Sequence, residues 1–134
     1  MVKQIPAVSY LRLEPQPSLV GSRCRECGEA YLLRRSACAR CGEDNFEHEV
    51  DLGASGVVTA ASVIYRAMPG VPTPFTSGVV ALDAGGHARC TLTNAEDAVA
   101  AIGKRAELET SIVGTDSAGT EAVGFTFRVR GENV

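Results

Sequence analysis

The chain has 134 residues, a mass of 14.0 kDa and a net charge of −3, and 45% of its residues are hydrophobic. This size fits one domain or two small modules with a buried core, and the composition excludes a globally disordered chain. The acidic balance and the 5% aromatic content disfavour a nucleic-acid-binding protein. No apolar run is long enough for a membrane span or a signal peptide, so we expect no membrane association and a cytoplasmic location.

The first segment, residues 1–18, is predicted to be an N-terminal arm. Pro6, Pro15 and Pro17 disfavour a long helix because proline lacks the amide donor that a helix needs. At most a short turn is expected around residues 8–13. The apolar side chains of such an arm usually pack on their own domain or on a partner.

The second segment, residues 19–50, contains two identical C-x-x-C-G units, at 24–28 and 38–42. Two thiolates on one tight turn can bind a metal ion together, and a second such turn completes a tetrahedral site. The pattern predicts a zinc ribbon with one structural zinc ion, bound by Cys24, Cys27, Cys38 and Cys41. Disulfides are disfavoured in a cytosolic chain, and a dithiol redox pair would need only one unit.

Charges in and after the ribbon are segregated. Arginines come first and acidic residues follow: Arg23, Arg25, Arg34, Arg35 and Arg40, then Glu43, Asp44, Glu47, Glu49 and Asp51. One interpretation is a solvated surface followed by a linker. The other is a basic docking face for a protein partner or for ligand phosphates, with Arg34 and Arg35 as candidate partner-binding residues.

The third segment, residues 51–134, is rich in strand patterns with one helical interruption. Residues 87–93 alternate cleanly, which places Cys90 on the apolar face as a small hydrophobic residue. Asn94 is the predicted N-cap of a short helix over 95–102, which Gly103 ends. Strands are predicted at 56–67, 75–84, 87–93, 104–113 and 121–130. A helix between the third and fourth of five strands is the order of an OB-fold barrel, so the predicted fold is mainly β: a rubredoxin-like zinc ribbon followed by an OB-fold.

The assembled pattern resembles a known family, the zinc-ribbon plus OB-fold proteins called domain of unknown function thirty-five. The resemblance covers roughly residues 18–130, although Leu33 stands where the family usually has a proline. The matching features are Gly21 before the first cysteine unit, Arg35 before the second, the Gly53–Gly56 strand start, the P-x-P-F segment Pro72–Phe75, the run Val79–Gly86 and the closing Gly124–Phe127.

This resemblance implies an accessory subunit in acyl-CoA metabolism. Family members are similar to small subunits of thiolase-fold enzymes, which include thiolases, hydroxymethylglutaryl-CoA synthases and side-chain-cleaving aldolases. In such complexes the partner supplies the catalytic cysteine and histidine. The small subunit supplies an interface and can help to hold the CoA-thioester.

The residues themselves also indicate a non-catalytic chain. His48 and His87 are the two imidazoles, and neither lies in a catalytic motif. Candidate CoA-binding residues are Arg66 and Arg89 for the phosphates and Phe75 for an apolar slot, with ordinary surface charges and a barrel plug as the alternatives. Two other functions stay open: a free-standing acyl-CoA-binding module and a single-stranded nucleic-acid-binding OB protein.

Overall fold

The computed structural model describes residues 3–14, 16–33 and 35–133. More than half of these residues lie in strands, and there is one helical turn. No helix among them is long and apolar enough to cross a membrane. The elements in chain order are β1 (Gln4–Pro6), β2 (Leu11–Arg12), β3 (Ser18–Cys24), β4 (Ala30–Tyr31), β5 (Phe46–Gly53), β6 (Ser55–Ile64), β7 (Phe75–Leu82), β8 (His87–Thr93), α1 (Ala98–Ala101), β9 (Lys104–Thr115) and β10 (Glu121–Asn133).

The five strands β6 to β10 close into a barrel. Antiparallel pairing joins β6 to β7 and β7 to β8, and β8 then pairs parallel with β10 through Leu92 and Phe127. Strand β9 pairs antiparallel with both β10 and β6, which closes the ring. This strand order, with α1 between β8 and β9, confirms the predicted OB-fold.

The barrel forms because its strands alternate between buried and exposed positions. In β7, every second residue from Thr76 to Leu82 is buried, as the period of two for a strand requires. Phe127 on β10 is fully buried, and a side chain of that size contributes roughly 2–3 kcal/mol through burial. Other buried barrel residues include Val58, Val80, Ala88, Leu92, Ala106, Val123 and Val129.

The predicted helix is shorter than expected, and its cap is a different residue. Asp97 is the N-cap, and its Oδ1 accepts a hydrogen bond of 3.2 Å from the Ala100 N–H. Asn94 instead has a left-handed backbone, with φ of 57°, and its side-chain amide donates to the Val129 carbonyl at 2.8 Å. The prediction of Asn94 as the cap is therefore wrong, because its amide is used in a contact with β10.

The arm is more regular than predicted. Strand β1 pairs parallel with β10, and β2 pairs antiparallel with β3. The expected turn is present, since the Leu11 N–H donates to the Val8 carbonyl at 3.3 Å. Tyr10 packs edge-on against Phe125 of the barrel, with ring centroids 5.9 Å apart. The described part of the arm thus packs on its own domain.

The ribbon is built on β3, which pairs with β2, β4 and β5. Leu19 and Leu52, both fully buried, belong to the same hydrophobic cluster as the barrel core. Arg23 adds a polar link, because its guanidinium donates to the Ala84 carbonyl in the β7–β8 turn at 2.6 Å and to the Gly28 carbonyl at 3.2 Å. The two parts therefore share one core and one hydrogen-bonded link.

Candidate metal centre

Two matching backbone turns place the four cysteines. In the first turn, the Gly28 N–H donates to the Cys24 carbonyl at 2.9 Å, and in the second the Gly42 N–H donates to the Cys38 carbonyl at 2.8 Å. Both glycines have a positive φ, 84° and 82°, a conformation that side chains disfavour. The glycine after each C-x-x-C pair is therefore required by the turn that aims the sulfurs.

The two turns bring the four sulfurs into one cluster. All four Sγ atoms lie within 4.8 Å of one another. The Cys24–Cys41 and Cys27–Cys38 Sγ pairs are 3.6 and 3.5 Å apart, far beyond the ~2.05 Å of a disulfide. A tetrahedral zinc ion with bonds of about 2.3 Å separates its sulfurs by roughly 3.8 Å. The cluster thus fits a zinc site with four cysteine ligands, as the sequence predicts.

Hydrogen bonding around the sulfurs also favours a metal ligand set. The Tyr31 hydroxyl lies 3.5 Å from the Cys38 Sγ, and chiefly because it donates there the pKa of Cys38 is lowered to about 6. At Cys41 the Glu43 N–H acts in the same direction, but desolvation and the three neighbouring sulfurs raise the pKa to about 12. Four thiolates this close repel one another, and a divalent cation removes that repulsion.

The bound ion would be structural. Cys24 and Cys38 are buried and Cys27 is half-buried, and four protein ligands leave a tetrahedral zinc ion no open position for water or substrate. Zinc in this set supplies folding energy. The geometry gives it no place in catalysis.

A groove beside the metal cluster has lining residues from both the ribbon and the barrel. We call it the ribbon–barrel groove. It has a volume of about 440 Å³ and is lined by Tyr10, Glu29, Ala30, Tyr31, Leu32, Leu33, Arg35, His87 and Arg89. The Arg35 guanidinium lies over the Tyr31 ring, 4.9 Å from its centroid. The groove therefore combines apolar walls with two guanidinium groups.

The three candidate CoA-binding residues lie at different positions along strands β6 to β8 and the loop after β6. Arg89 lines the ribbon–barrel groove, whereas Phe75 lines a different pocket of about 220 Å³ beside Ala95. Arg66 is exposed in the loop after β6. Arg89 pairs with Val79 on β7, and Val79 pairs with Ala60 on β6. The end of β6 at Ile64 lies four residues beyond Ala60, a distance of about 13 Å along the strand. Arg89 also lines a pocket of about 410 Å³ that reaches Ile64, two residues before Arg66.

Of the two candidate docking arginines, Arg35 lies among the described residues and Arg34 does not. Arg35 is exposed, and its Nε donates to the Ala37 carbonyl at 3.3 Å. Arg23, which the sequence grouped with them, instead donates to the Ala84 carbonyl in the β7–β8 turn. The basic residues of the ribbon thus do not all belong to one outward face.

Two further polar positions lie outside the predicted site. Ser22 is buried on β3 and its hydroxyl lies 2.8 Å from the Nδ1 of His48 on β5, a pairing that no sequence signal announced. His48 also stacks on Phe46, with centroids 6.4 Å apart.

Cys90 is a half-buried barrel residue, and burial raises the pKa of its thiol to about 12. Cys90 therefore has the properties of a packing residue.

Comparison with known proteins agrees with this architecture. Residues 13–47 match the family model described as the ChsH2 rubredoxin-like zinc ribbon domain, and residues 49–111 match that of the ChsH2 C-terminal OB-fold domain. A DUF35 domain-containing scaffold protein of Methanocaldococcus jannaschii is 27% identical over 79 residues, which are 58% of this chain and 56% of that protein. The chain thus spans little more than half the length of this curated relative.

Two solved structures have a similar fold. The structure titled Ltp2-ChsH2(DUF35) aldolase matches with a TM-score of 0.62 and 21% identity, over 84% of each chain. A DUF35-family protein of unknown function from Sulfolobus solfataricus matches with a TM-score of 0.52 and 19% identity, over 84% of this chain and 76% of that one. At these identities the likeness concerns the fold.

Proposed function

The chain belongs to the ChsH2 family of zinc-ribbon and OB-fold proteins, and on that premise we propose that it is a non-catalytic accessory subunit of a thiolase-fold enzyme, a thiolase or an aldolase, in acyl-CoA metabolism. The observation that carries the proposal is the match of both ChsH2 domain models, in order, over most of the chain. The relative found by sequence is named a DUF35 domain-containing scaffold protein. The structure with a similar fold is titled Ltp2-ChsH2(DUF35) aldolase.

The chemistry of the chain supports a role without catalysis. Its most distinctive polar cluster is the four-cysteine set, in which every ligand position is taken by protein. We propose one structural zinc ion per chain and no catalytic residue, with the reactive groups supplied by the partner. The working division remains arm 1–18, ribbon 19–50 and barrel 51–134, although β5 runs past residue 50 to Gly53.

We also propose that the subunit helps to hold the CoA-thioester. CoA carries phosphates, which bind guanidinium groups, and apolar segments, which suit aromatic walls. The ribbon–barrel groove offers both, through Arg35, Arg89 and Tyr31. Of the three residues predicted from the sequence, Arg89 is thus the first choice for a phosphate contact, while Arg66 and Phe75 would have to act elsewhere along the ligand.

The same groove supports a second candidate, a free-standing acyl-CoA-binding module. This candidate differs from the first in needing no partner for affinity. Free cysteines in the zinc cluster are compatible with a reducing compartment, so we propose a cytoplasmic location under either candidate. We propose neither nucleic-acid nor membrane partners.

The decisive experiment is co-expression with the thiolase-fold protein encoded nearest to its gene, followed by co-purification. We expect a stable complex, and thioester turnover only when the partner is present. Reversing the charge of the ribbon with Arg34→Glu and Arg35→Glu should weaken co-elution at least tenfold, whereas Arg66→Glu, a distant exposed arginine, serves as the control. Turnover by the purified chain alone would refute the accessory role, and equal loss in both variants would refute the docking role of the ribbon.

Calorimetry with CoA separates the two candidates. The accessory subunit should bind CoA measurably only within the complex, and Arg89→Gln should weaken that binding more than Arg66→Gln does. Strong binding to the isolated chain would instead favour the free-standing module. An oligonucleotide titration at low salt should show no binding, since nucleic-acid affinity is greatest at low ionic strength.

A further inference from the structure

The outer half of β9 is an open sheet edge. Strand β6 pairs with β9 only from Arg105 to Glu107, and the Leu108 N–H then donates to the Ala54 carbonyl at 2.8 Å. Beyond that point β10 continues to pair with one side of β9 as far as Thr115. Within residues 3–14, 16–33 and 35–133, no strand pairs with the other side. All side chains from residue 109 to 115 are exposed.

The backbone of this edge is arranged to continue the sheet. The Leu108 N–H points away from β10, towards the β6 side. Amides of alternate residues in an antiparallel strand point to the same side. The N–H groups of Thr110 and Ile112 therefore point outwards along the open edge. An added strand would find these two donors in register with β6, before the bulge at Val113 interrupts the alternation.

The edge has few of the devices that usually protect an exposed edge. Natural proteins guard such edges with proline, lysine, short strands or β-bulges. The open edge has one of these devices, a bulge at Val113, where the β9–β10 register shifts between Ile112 and Gly114. Strand β1, at the opposite edge of the same sheet, is three residues long and contains Pro6. Residues 110–115 read Thr-Ser-Ile-Val-Gly-Thr, with neither charge nor proline, and Ile112 and Val113 are 53% and 63% exposed. One edge is therefore blocked and the other is open.

Acidic residues at both ends of the open edge define its partner. Glu109 precedes the uncharged run and Asp116 follows it. The Glu109 carboxylate accepts a hydrogen bond from the Thr93 hydroxyl, and the Asp116 carboxylate accepts from two backbone amides. These donors are uncharged, so none of these hydrogen bonds pairs a carboxylate with a cation. If two copies paired antiparallel about Ile112 and Val113, Glu109 of one copy would face Asp116 of the other. Like charges directly opposite destabilise a strand pair.

We infer that residues 108–115 of β9 form a docking edge for an extended segment of another protein, with β-branched or apolar residues at its centre and lysine or arginine at both ends. Such a segment would add a strand to the sheet through its main chain, and its cations would meet Glu109 and Asp116. This surface lies on the barrel and goes beyond the proposed function, because it does not depend on the identity of the enzyme partner or on the ribbon.

Hydrogen exchange on the full zinc-bound chain tests the inference. The probe is a synthetic peptide of alternating threonine and valine with two lysines at each end, and the matched control peptide has glutamates in place of the lysines. We expect the lysine peptide to slow exchange of the Thr110 and Ile112 amides at least tenfold at saturation. The glutamate peptide should have little effect.

Two variants make the test specific. Thr110→Pro removes one outward donor without touching the β10 ladder, and should abolish protection by the lysine peptide. Glu109→Lys leaves the backbone intact and should shift the preference towards the glutamate peptide. Absence of slowing, equal slowing by both peptides, or unchanged preference in Glu109→Lys would overturn the inference. Slowing that rises with protein concentration without peptide would overturn it in favour of a second copy as the occupant.

Discussion

The ribbon and the barrel have different sources of stability within one chain. The barrel closes five strands around fully buried apolar side chains such as Phe127 and Val80. The ribbon has the two-residue strand β4, and two of its buried residues are the cysteines Cys24 and Cys38. The comparison teaches that the barrel depends mainly on removing apolar area from water, whereas the ribbon depends on a metal ion that crosslinks two turns.

Removing one metal ligand should have the largest effect. We expect Cys38→Ser to lose the zinc ion and unfold the ribbon, because apparent binding energies of structural zinc are about 10–16 kcal/mol. Elemental analysis should show bound zinc falling from about one per chain to near zero, and hydrogen exchange should show protection lost in residues 18–50. Cys90→Ala is the matched control, since Cys90 lies on β8, far along the chain from the cluster. Retained zinc in Cys38→Ser would contradict the assignment of the four cysteines as ligands.

Emptying the barrel core should come next. Phe127→Ala removes a fully buried ring, and such changes cost about 3–5 kcal/mol. Denaturant unfolding of the zinc-bound protein measures this loss. Phe125→Ala, at a half-buried position on the same strand, should cost less. Equal losses in the two variants would mean that Phe127 is not the centre of the core.

Cutting the link between the two parts should have a moderate effect. Arg23→Ala removes the guanidinium that donates to Ala84 and Gly28, and hydrogen bonds from a charged donor contribute about 1.5–3 kcal/mol. We expect faster amide exchange in the β7–β8 turn and in the first cysteine turn, with zinc content unchanged. Arg25→Ala, an exposed neighbour, controls for the loss of charge. If Arg25→Ala gave the same exchange pattern, the link would carry no specific energy.

The smallest expected effect is on the pH dependence of stability, through the Asp83–Arg105 ion pair on the barrel surface. The Arg105 guanidinium, with help from the Ser55 hydroxyl, holds the pKa of Asp83 below its ordinary value of 3.8. The stabilisation of the fold by this ion pair is therefore present above pH 3.8, the ordinary pKa, and is lost as pH falls through the lower pKa of the folded state. Because both side chains are substantially exposed, it should not exceed about 1 kcal/mol. Asp83→Asn should make the free energy of unfolding less dependent on pH in this range, whereas Glu96→Gln should not. Identical curves for the two variants would show that the Asp83–Arg105 pair does not contribute to the pH dependence.

The sequence predicted those features that depend on neighbours along the chain. The metal ligands follow from the C-x-x-C-G units because each turn is made within six residues, as the Cys24 N–H to Glu29 carbonyl bond shows. The barrel order follows from strand alternation and the position of the helix between β8 and β9. Both depend on local periodicity, which a single sequence displays directly.

Contacts between distant residues could not be predicted in the same way. The cap was assigned to Asn94 because both asparagine and aspartate can cap, and only the contact with Val129 decides between Asn94 and Asp97. Nothing local marks Arg23 as a link to Ala84. The short strand β1 pairs with β10 more than a hundred positions away, so its extended form depends on a partner that the local pattern does not reveal.

The parallel pairing of β8 with β10 has a consequence for the order of folding during synthesis. All the strands of the ribbon, and all four cysteines, are present once residue 53 has left the ribosome. The ring of the OB-fold closes only after Phe127 has followed. Contacts of long sequence separation form late, so the nascent chain can capture its ion while β6, β7 and β8 are still an open meander, and the last strand to emerge completes the enclosure.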